Sequence, residues 1–292
     1  MKYHISLILF ALIFSACDKN PKDSAPTDKE ARSTIIYADE INDKVKSGKE
    51  IYYEDAVIVG DIDFTLSPDI SIESPSIMRH YRNSGVLFSN CTFQGEIIAA
   101  RKDNEKHNYL YFDRNVSFLN CTFQSKINFS ETRFDHLALF RENIYQDSVI
   151  FNGASFNFKK NYFHNSKFMA FTDFSETVFK GESSFLKSEF RGNLLFQSAV
   201  FYETVNFGAI HLYKKSDFSL NTYRGEANFR YATFEAPCSF NHSQFGGPVQ
   251  MDDLSAQEIL SFENAVFLKR PKSETTDLSE LISFKNSRFI ID

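Results

Sequence analysis

The feature that most constrains this chain is the spacing of its large side chains. From Phe118 they fall at Phe123, Phe129, Phe134, Phe140, Tyr145, Phe151 and Phe156, in steps that alternate between five and six residues. After one additional residue the series resumes at Phe163, Phe168, Phe174, Phe179, Phe185, Phe190, Phe196 and Phe201. It continues through Phe207, Leu212, Phe218, Tyr223, Phe229, Phe234, Phe240, Phe245 and Met251. Phe88 with Phe93 and Tyr53, Ile58 and Phe64 precede it, and Phe262 with Phe267 and Phe284 with Phe289 follow. A fixed period over so much of a chain is the signature of a repeat architecture. The 33 Phe among 292 residues, with only 11 Gly and 7 Pro, also exclude collagen-like and Pro/Gly-rich disordered chains.

The residue two places before each large one is the second clue. In five-residue steps it is small or short, as in Cys91, Cys121, Thr132, Asn143, Ala154, Ser166, Ser188, Ala199, Asn221 and Ser243, with Ile210 the exception. In six-residue steps it is more often apolar, as in Val86, Ile127, Val149, Leu194, Val205, Val249 and Leu260. Residues two apart lie on the same side of an extended chain, so each step reads as an inward pair followed by a corner. On a helix, steps of five would set successive rings roughly 140° apart, and no apolar stripe results. A transmembrane barrel needs strands of about ten alternating residues, which are absent. A solenoid remains.

This pattern resembles the pentapeptide-repeat family, with a small residue at i−2 and Leu or Phe at i. Its nearest phrases are Phe151-Asn-Gly-Ala-Ser-Phe156 and Tyr223-Arg-Gly-Glu-Ala-Asn-Phe229-Arg-Tyr-Ala-Thr-Phe234. The resemblance covers about Tyr53 to Phe289 and implies an all-β, right-handed quadrilateral β-helix with four steps per coil. Alternate six-residue steps lengthen each coil to about 22 residues, a departure from the family's twenty. Setting aside additional residues near 65–84, 101–108, 157–162 and 268–278 leaves roughly ten coils, nearly 50 Å at about 4.8 Å per layer. Residues 34–52 read as a capping helix and entry, with Tyr37, Ile41 and Val45 on one face and a stop at Gly48. Residues 53–292 then form the solenoid.

The N-terminal segment reads as an address. Lys2 precedes the apolar run Ile5–Phe14, which is too short to span a bilayer. Phe14-Ser15-Ala16-Cys17 resembles a bacterial lipobox, with Phe in place of the usual Leu. The resemblance implies a signal peptide over 1–16 and lipid attachment at Cys17. Two or three acyl chains hold a protein on a membrane stably, at about 0.8 kcal/mol per buried CH₂. Asp18 resembles the enteric signal for inner-membrane retention; whether the inner or outer membrane is meant is left open. Residues 17–33 hold the lipidated Cys and a polar tether, with a reach of roughly 20 Å.

Candidate chemistry is sparse. Cys91 and Cys121 occupy the same slot of a duplicated phrase, Asn-Cys-Thr-Phe-Gln, and are expected one layer apart as a candidate disulfide or as small buried residues. Cys238 has no evident partner. His80, His107, His136, His164, His211 and His242 show no zinc-ligand spacing. Glu131 and Glu176, each in Phe-Ser-Glu-Thr, are expected about two coils apart on one face, as a solvated pair. No Ser/His/Asp set, phosphate loop or HExxH motif is present, and no cofactor is expected. The interruptions Thr65–Ser84, Arg101–Asn108 and Leu268–Asp277 are the better recognition candidates, the last carrying Lys269, Arg270 and Lys272.

The expected function is therefore a non-enzymatic, membrane-anchored β-helical scaffold or protein-binding module of the bacterial envelope, facing the periplasm or exterior. The alternative is a polysaccharide-binding or polysaccharide-acting β-helix. A net charge of −6 argues against nucleic acid as partner. The export signal argues against the gyrase-binding, DNA-mimicking role known for some pentapeptide-repeat proteins. The resemblance also implies a homodimer through the C-terminal end.

Overall fold

The computed structural model describes residues 33–103, 105–271 and 281–291. The leader, Cys17 and the tether lie outside them, as does most of the third interruption. Ser33–Asp292 forms one compact unit.

Inward pairs and corners build a four-sided β-solenoid. We number its sides one to four in chain order from the strands Ile51–Glu54, Ala56–Val59, Ile62–Asp63 and Ile77–Arg82. The sheets on these sides contain nine, ten, ten and twelve strands. Every pairing between successive coils is parallel, and most strands are two residues long. The register advances 22 residues per coil, as from Val116 to Ala138, and 23 from Ala138 to Asn161, where the additional residue is absorbed.

The expected rings point inward and stack in four columns along the axis. On side four, Phe134, Phe156, Phe179 and Phe201 lie with centroids 4.7, 4.9 and 5.0 Å apart and interplanar angles of 2–5°. Rings on different sides meet edge to face, as Phe163 meets Phe174 at 5.3 Å and 86°. Both are favourable arrangements of ring quadrupoles. Each buried ring contributes roughly 1.5–3 kcal/mol of transfer free energy.

Five-residue corners turn through a left-handed residue, with φ between 51° and 62° at the non-glycine positions. Asn and Asp tolerate this conformation, and Asn90, Asn120, Asn165, Asn264 and Asn286 all occupy it. Leu220 and Tyr231 adopt it too, at a cost of roughly 1–2 kcal/mol each.

Such a corner leaves a backbone amide without a ladder partner; at many corners it bonds a carbonyl of its own turn, and at several an Asn or Ser of the next coil supplies an oxygen. Asn143 Oδ1 accepts from Cys121 N (2.8 Å), Ser166 Oγ from Asn143 N (3.2 Å), and Ser188 Oγ from Ser166 N (3.2 Å). Asn221 and Ser243 do the same for Ala199 and Asn221. Ile210 has no such oxygen, and the amide of Ser188 below it bonds Phe185 O in its own turn. Small size fits the slot; an acceptor completes it.

A helix, Ala38–Lys46, covers the N-terminal end. Ala38, Ile41 and Val45 are buried, and Gly48 (φ 63°) lies just past its end, where a left-handed residue releases the chain. Tyr37 corrects the expected stripe. It closes an unforeseen strand, Thr34–Tyr37, which extends side two below Ala56–Val59, and its side chain is 66% exposed. Spacing alone put Tyr37 on the helix face, but the helix begins one residue later.

Candidate functional site

Two of the three interruptions come together. Asp69–Ser74 and Ile77–Arg82 form an antiparallel hairpin from the first, and Ala100–Asp103 turns back antiparallel on Lys106–Phe112 from the second. Lys106–Phe112 also pairs in parallel with Ile77–Arg82, so all four strands form one flap on side four. Antiparallel pairing lets the flap grow sideways without disturbing the coil register.

The outer surface of the flap carries Arg79, Tyr81, Tyr109 and Tyr111. Tyr81 meets Tyr111 edge to face at 5.2 Å, and the guanidinium groups of Arg79 and Arg133 lie 5.0 and 5.3 Å from the Tyr111 ring. Arg79 also pairs with Glu73 across the hairpin, which holds that carboxyl below its usual range. His107 Nδ1 and Tyr109 Oη are 2.8 Å apart, which fixes both rings.

At the foot of the flap, the strand Ala100–Asp103 walls two adjoining hollows against the surface of the next coil. The first, about 270 Å³, is lined by Lys102, His107, Tyr109, Asn128, Glu131 and Asn152 among others. The second, about 310 Å³, shares Ala100, Arg101, Lys102 and Asn128 and adds Glu96, Ile98 and Lys126. The lining is braced. Arg101 Nη2 donates to Asp63 Oδ2 (2.8 Å), Asn128 Nδ2 donates to Ala100 O (2.9 Å), and Asn128 Oδ1 accepts from Ser130 N and Oγ (3.1 and 2.7 Å).

Glu131 and Glu176 stand at corresponding left-handed corners two coils apart, as expected, with Gly153 between them. The Glu131 carboxylate folds over Gly153: a Cβ there would lie 2.6 Å from Oε1 and push the carboxylate aside, and the left-handed φ of 67° also favours glycine. Burial raises the Glu131 carboxyl above its ordinary range, Glu176 adds to the rise, and Arg79 and His107 oppose it. Burial likewise raises Tyr109, helped by Glu131. The expected solvated pair is thus divided, with Glu131 belonging to the hollow. Its partners arrive from an insertion whose return path no spacing rule gave.

The remaining candidates lie apart. Cys91 and Cys121 sit one coil apart, both buried and both free thiols, as is Cys238. The neighbouring Cys91 and burial push the Cys121 thiol up, so it is a poor nucleophile at neutral pH. His80 is buried between Ser67 O and Asn108 Oδ1, where it ties the two interruptions together. His211 pairs with Glu235 Oε1 at 2.5 Å on side two. Among the described residues no group of three or more His, Cys, Asp or Glu is placed to hold a metal ion. From the third interruption, Leu268 lines a separate apolar hollow of about 430 Å³ over Gly246, and Arg270 lies 4.9 Å from the Phe289 ring. Lys272 lies outside the described residues.

No family model, no curated protein and no solved structure matches the chain.

Proposed function

We propose that this chain is a non-enzymatic scaffold of the bacterial cell envelope, anchored by lipid at Cys17 and belonging with the pentapeptide-repeat proteins. The flap on side four is its recognition surface. One observation carries this reading: two insertions separated by a stretch of regular coil build a single sheet on one side, whereas the coils from Arg133 to Phe267 run without insertion of comparable size. A rigid rod with one decorated side suits the display of a surface, and loops on a solenoid gather on the face that binds. The lipobox-like Cys17 and the polar tether would let that surface work near a membrane. The partner is an envelope protein, and the rod pairs with a second copy through its C-terminal end.

Palmitate labelling of the wild type and of Cys17→Ser tests the anchor; equal labelling, or no membrane association of the wild type, removes it. A photocrosslinking residue at Tyr111, compared with one at Asn206, tests the surface in intact cells. Products at Tyr111 alone support the flap, and equal products at both positions refute it.

The second reading is a polysaccharide-binding β-helix. The hollows at the foot of the flap favour it, because they combine cations, amides, a carboxylate and a phenol ring.

A further inference from the structure

We infer that the two adjoining hollows form one cleft for a carboxylate-bearing oligosaccharide of about two or three rings. This inference rests on the polysaccharide-binding reading above. The two volumes, about 270 and 310 Å³, share Ala100, Arg101, Lys102 and Asn128, so they are successive stretches of one trough along the Ala100–Asp103 strand. Each is sized for a single ring and is smaller than most drug-sized sites.

The chemistry of the lining selects the ligand class. Lys102 and Lys126 both line the second stretch, and neither forms an ion pair among the described residues. They are free to meet carboxylates. The Arg101 guanidinium is held by Asp63, which leaves it a fixed donor rather than a free counter-charge. Asn128 and Asn152 each keep one amide N–H beyond the bonds to Ala100 O and Ser175 O, Asn152 Oδ1 adds an acceptor, and Glu131 is an acceptor for hydroxyl pairs. Tyr109, oriented by His107, gives a ring on which a sugar face can pack. A phosphate alone would use the cations and leave the amides, Glu131 and Tyr109 idle. A neutral sugar would leave the lysines unpaired.

Isothermal titration calorimetry on the full chain tests this, with trigalacturonate, cellotriose and inorganic phosphate as probes. Trigalacturonate is expected to bind more tightly than either of the others, and to weaken as salt screens the lysines. Lys102→Ala with Lys126→Ala should lower its affinity about tenfold or more, the loss of one to two charge-assisted hydrogen bonds. Tyr109→Ala should weaken binding of both sugars, and Tyr109→Phe should leave it nearly intact. Both lysines are on the surface, so an unchanged melting temperature shows that the double variant is folded. Absence of trigalacturonate binding overturns the inference, as does equal affinity for cellotriose, phosphate binding as tight as the sugar's, or no effect of the double variant. Crosslinking from Tyr111 in the Lys102→Ala, Lys126→Ala background separates this from the scaffold reading. Crosslinks retained there show that the protein-display role does not depend on the cleft.

Discussion

The coils from Arg133 to Phe267 and the two coils before them use the same four sides but obey different rules. In the later coils the central inward position of almost every step holds a ring, the flanking slot holds a small, polar or branched residue, and each position pairs with its equivalent 22 or 23 residues away. In the earlier coils the side-one column continues through Phe118, Phe88 and Tyr53, but the side-four column ends at Phe112. Arg82 stands in register with Phe112, and both hairpins and both hollows of the flap belong to this end. Arg82 is buried; its Nη2 donates to Lys49 O, while Nε and Nη1 have no partner. Burial pushes its pKa down to about 10. The later coils are built for stability, and the earlier ones surrender regularity where the surface becomes distinctive.

The contrast can be broken most directly at a ring. Phe196→Ala should cost about 3–5 kcal/mol by opening a cavity between Phe174 and Phe218, whose rings stack on it at 4.8 and 5.2 Å. Ile72→Ala, on the flap and 72% exposed, should change stability by less than about 0.5 kcal/mol. Urea unfolding of both variants checks the pair, and similar midpoints would erase the distinction.

Alkaline pH should act next, and on the regular coils. Tyr145 and Tyr223 are fully buried, and burial raises both phenols far above 10. The unfolded chain ionises them near pH 10 and the folded chain does not. Their stabilisation is therefore complete below pH 10 and lost above it, by about 1.4 kcal/mol per pH unit for each. Tyr145→Phe with Tyr223→Phe should flatten that decline in melting curves between pH 9 and 11.

A smaller effect is expected at the corner oxygens. Asn221→Ala removes the acceptor of Ala199 N (2.7 Å) and the donor to Tyr223 Oη (3.0 Å), and should cost about 1–3 kcal/mol. Asn221→Ser, which keeps an oxygen in the slot, should recover part of that loss in the same unfolding assay.

The smallest change is expected in the irregular coils and has the opposite sign. Arg82→Met removes a buried cation with two unpartnered nitrogens, while Ser84 Oγ still donates to Lys49 O at 3.1 Å. Stability should stay level or rise by roughly 1 kcal/mol. A fall of several kcal/mol would mean that Arg82 has a structural role that the apolar side chain cannot take.

Much of the rod was legible from spacing because a period of two within each strand and a fixed step between corners translate directly into which residues face inward. Ile58, Phe123 and Phe267 are buried where the series put them. Tyr37 was misplaced because a helix stripe and the last outward residue of an edge strand share the same local spacing. Within the site, Glu131 and Glu176 were legible as a pair of equivalent corners. His107, Tyr109 and Lys102 were not, because antiparallel hairpins obey no solenoid period and their pairing partners are set by long-range register; Lys126, at a regular corner, joins them only through the returning strand.

By itself the sequence determined a solenoid that turns a corner every five or six residues with its rings inside; the four steps and about 22 residues of each coil came from its resemblance to pentapeptide repeats. It also marked the corner slots as small. Tertiary structure alone decided what an Asn or Ser in such a slot does: its oxygen reaches a corner amide of the coil below, an amide that at other corners bonds within its own turn. It likewise decided that two separate interruptions make one flap and one trough, because strands from different coils meet only after the rod is wound.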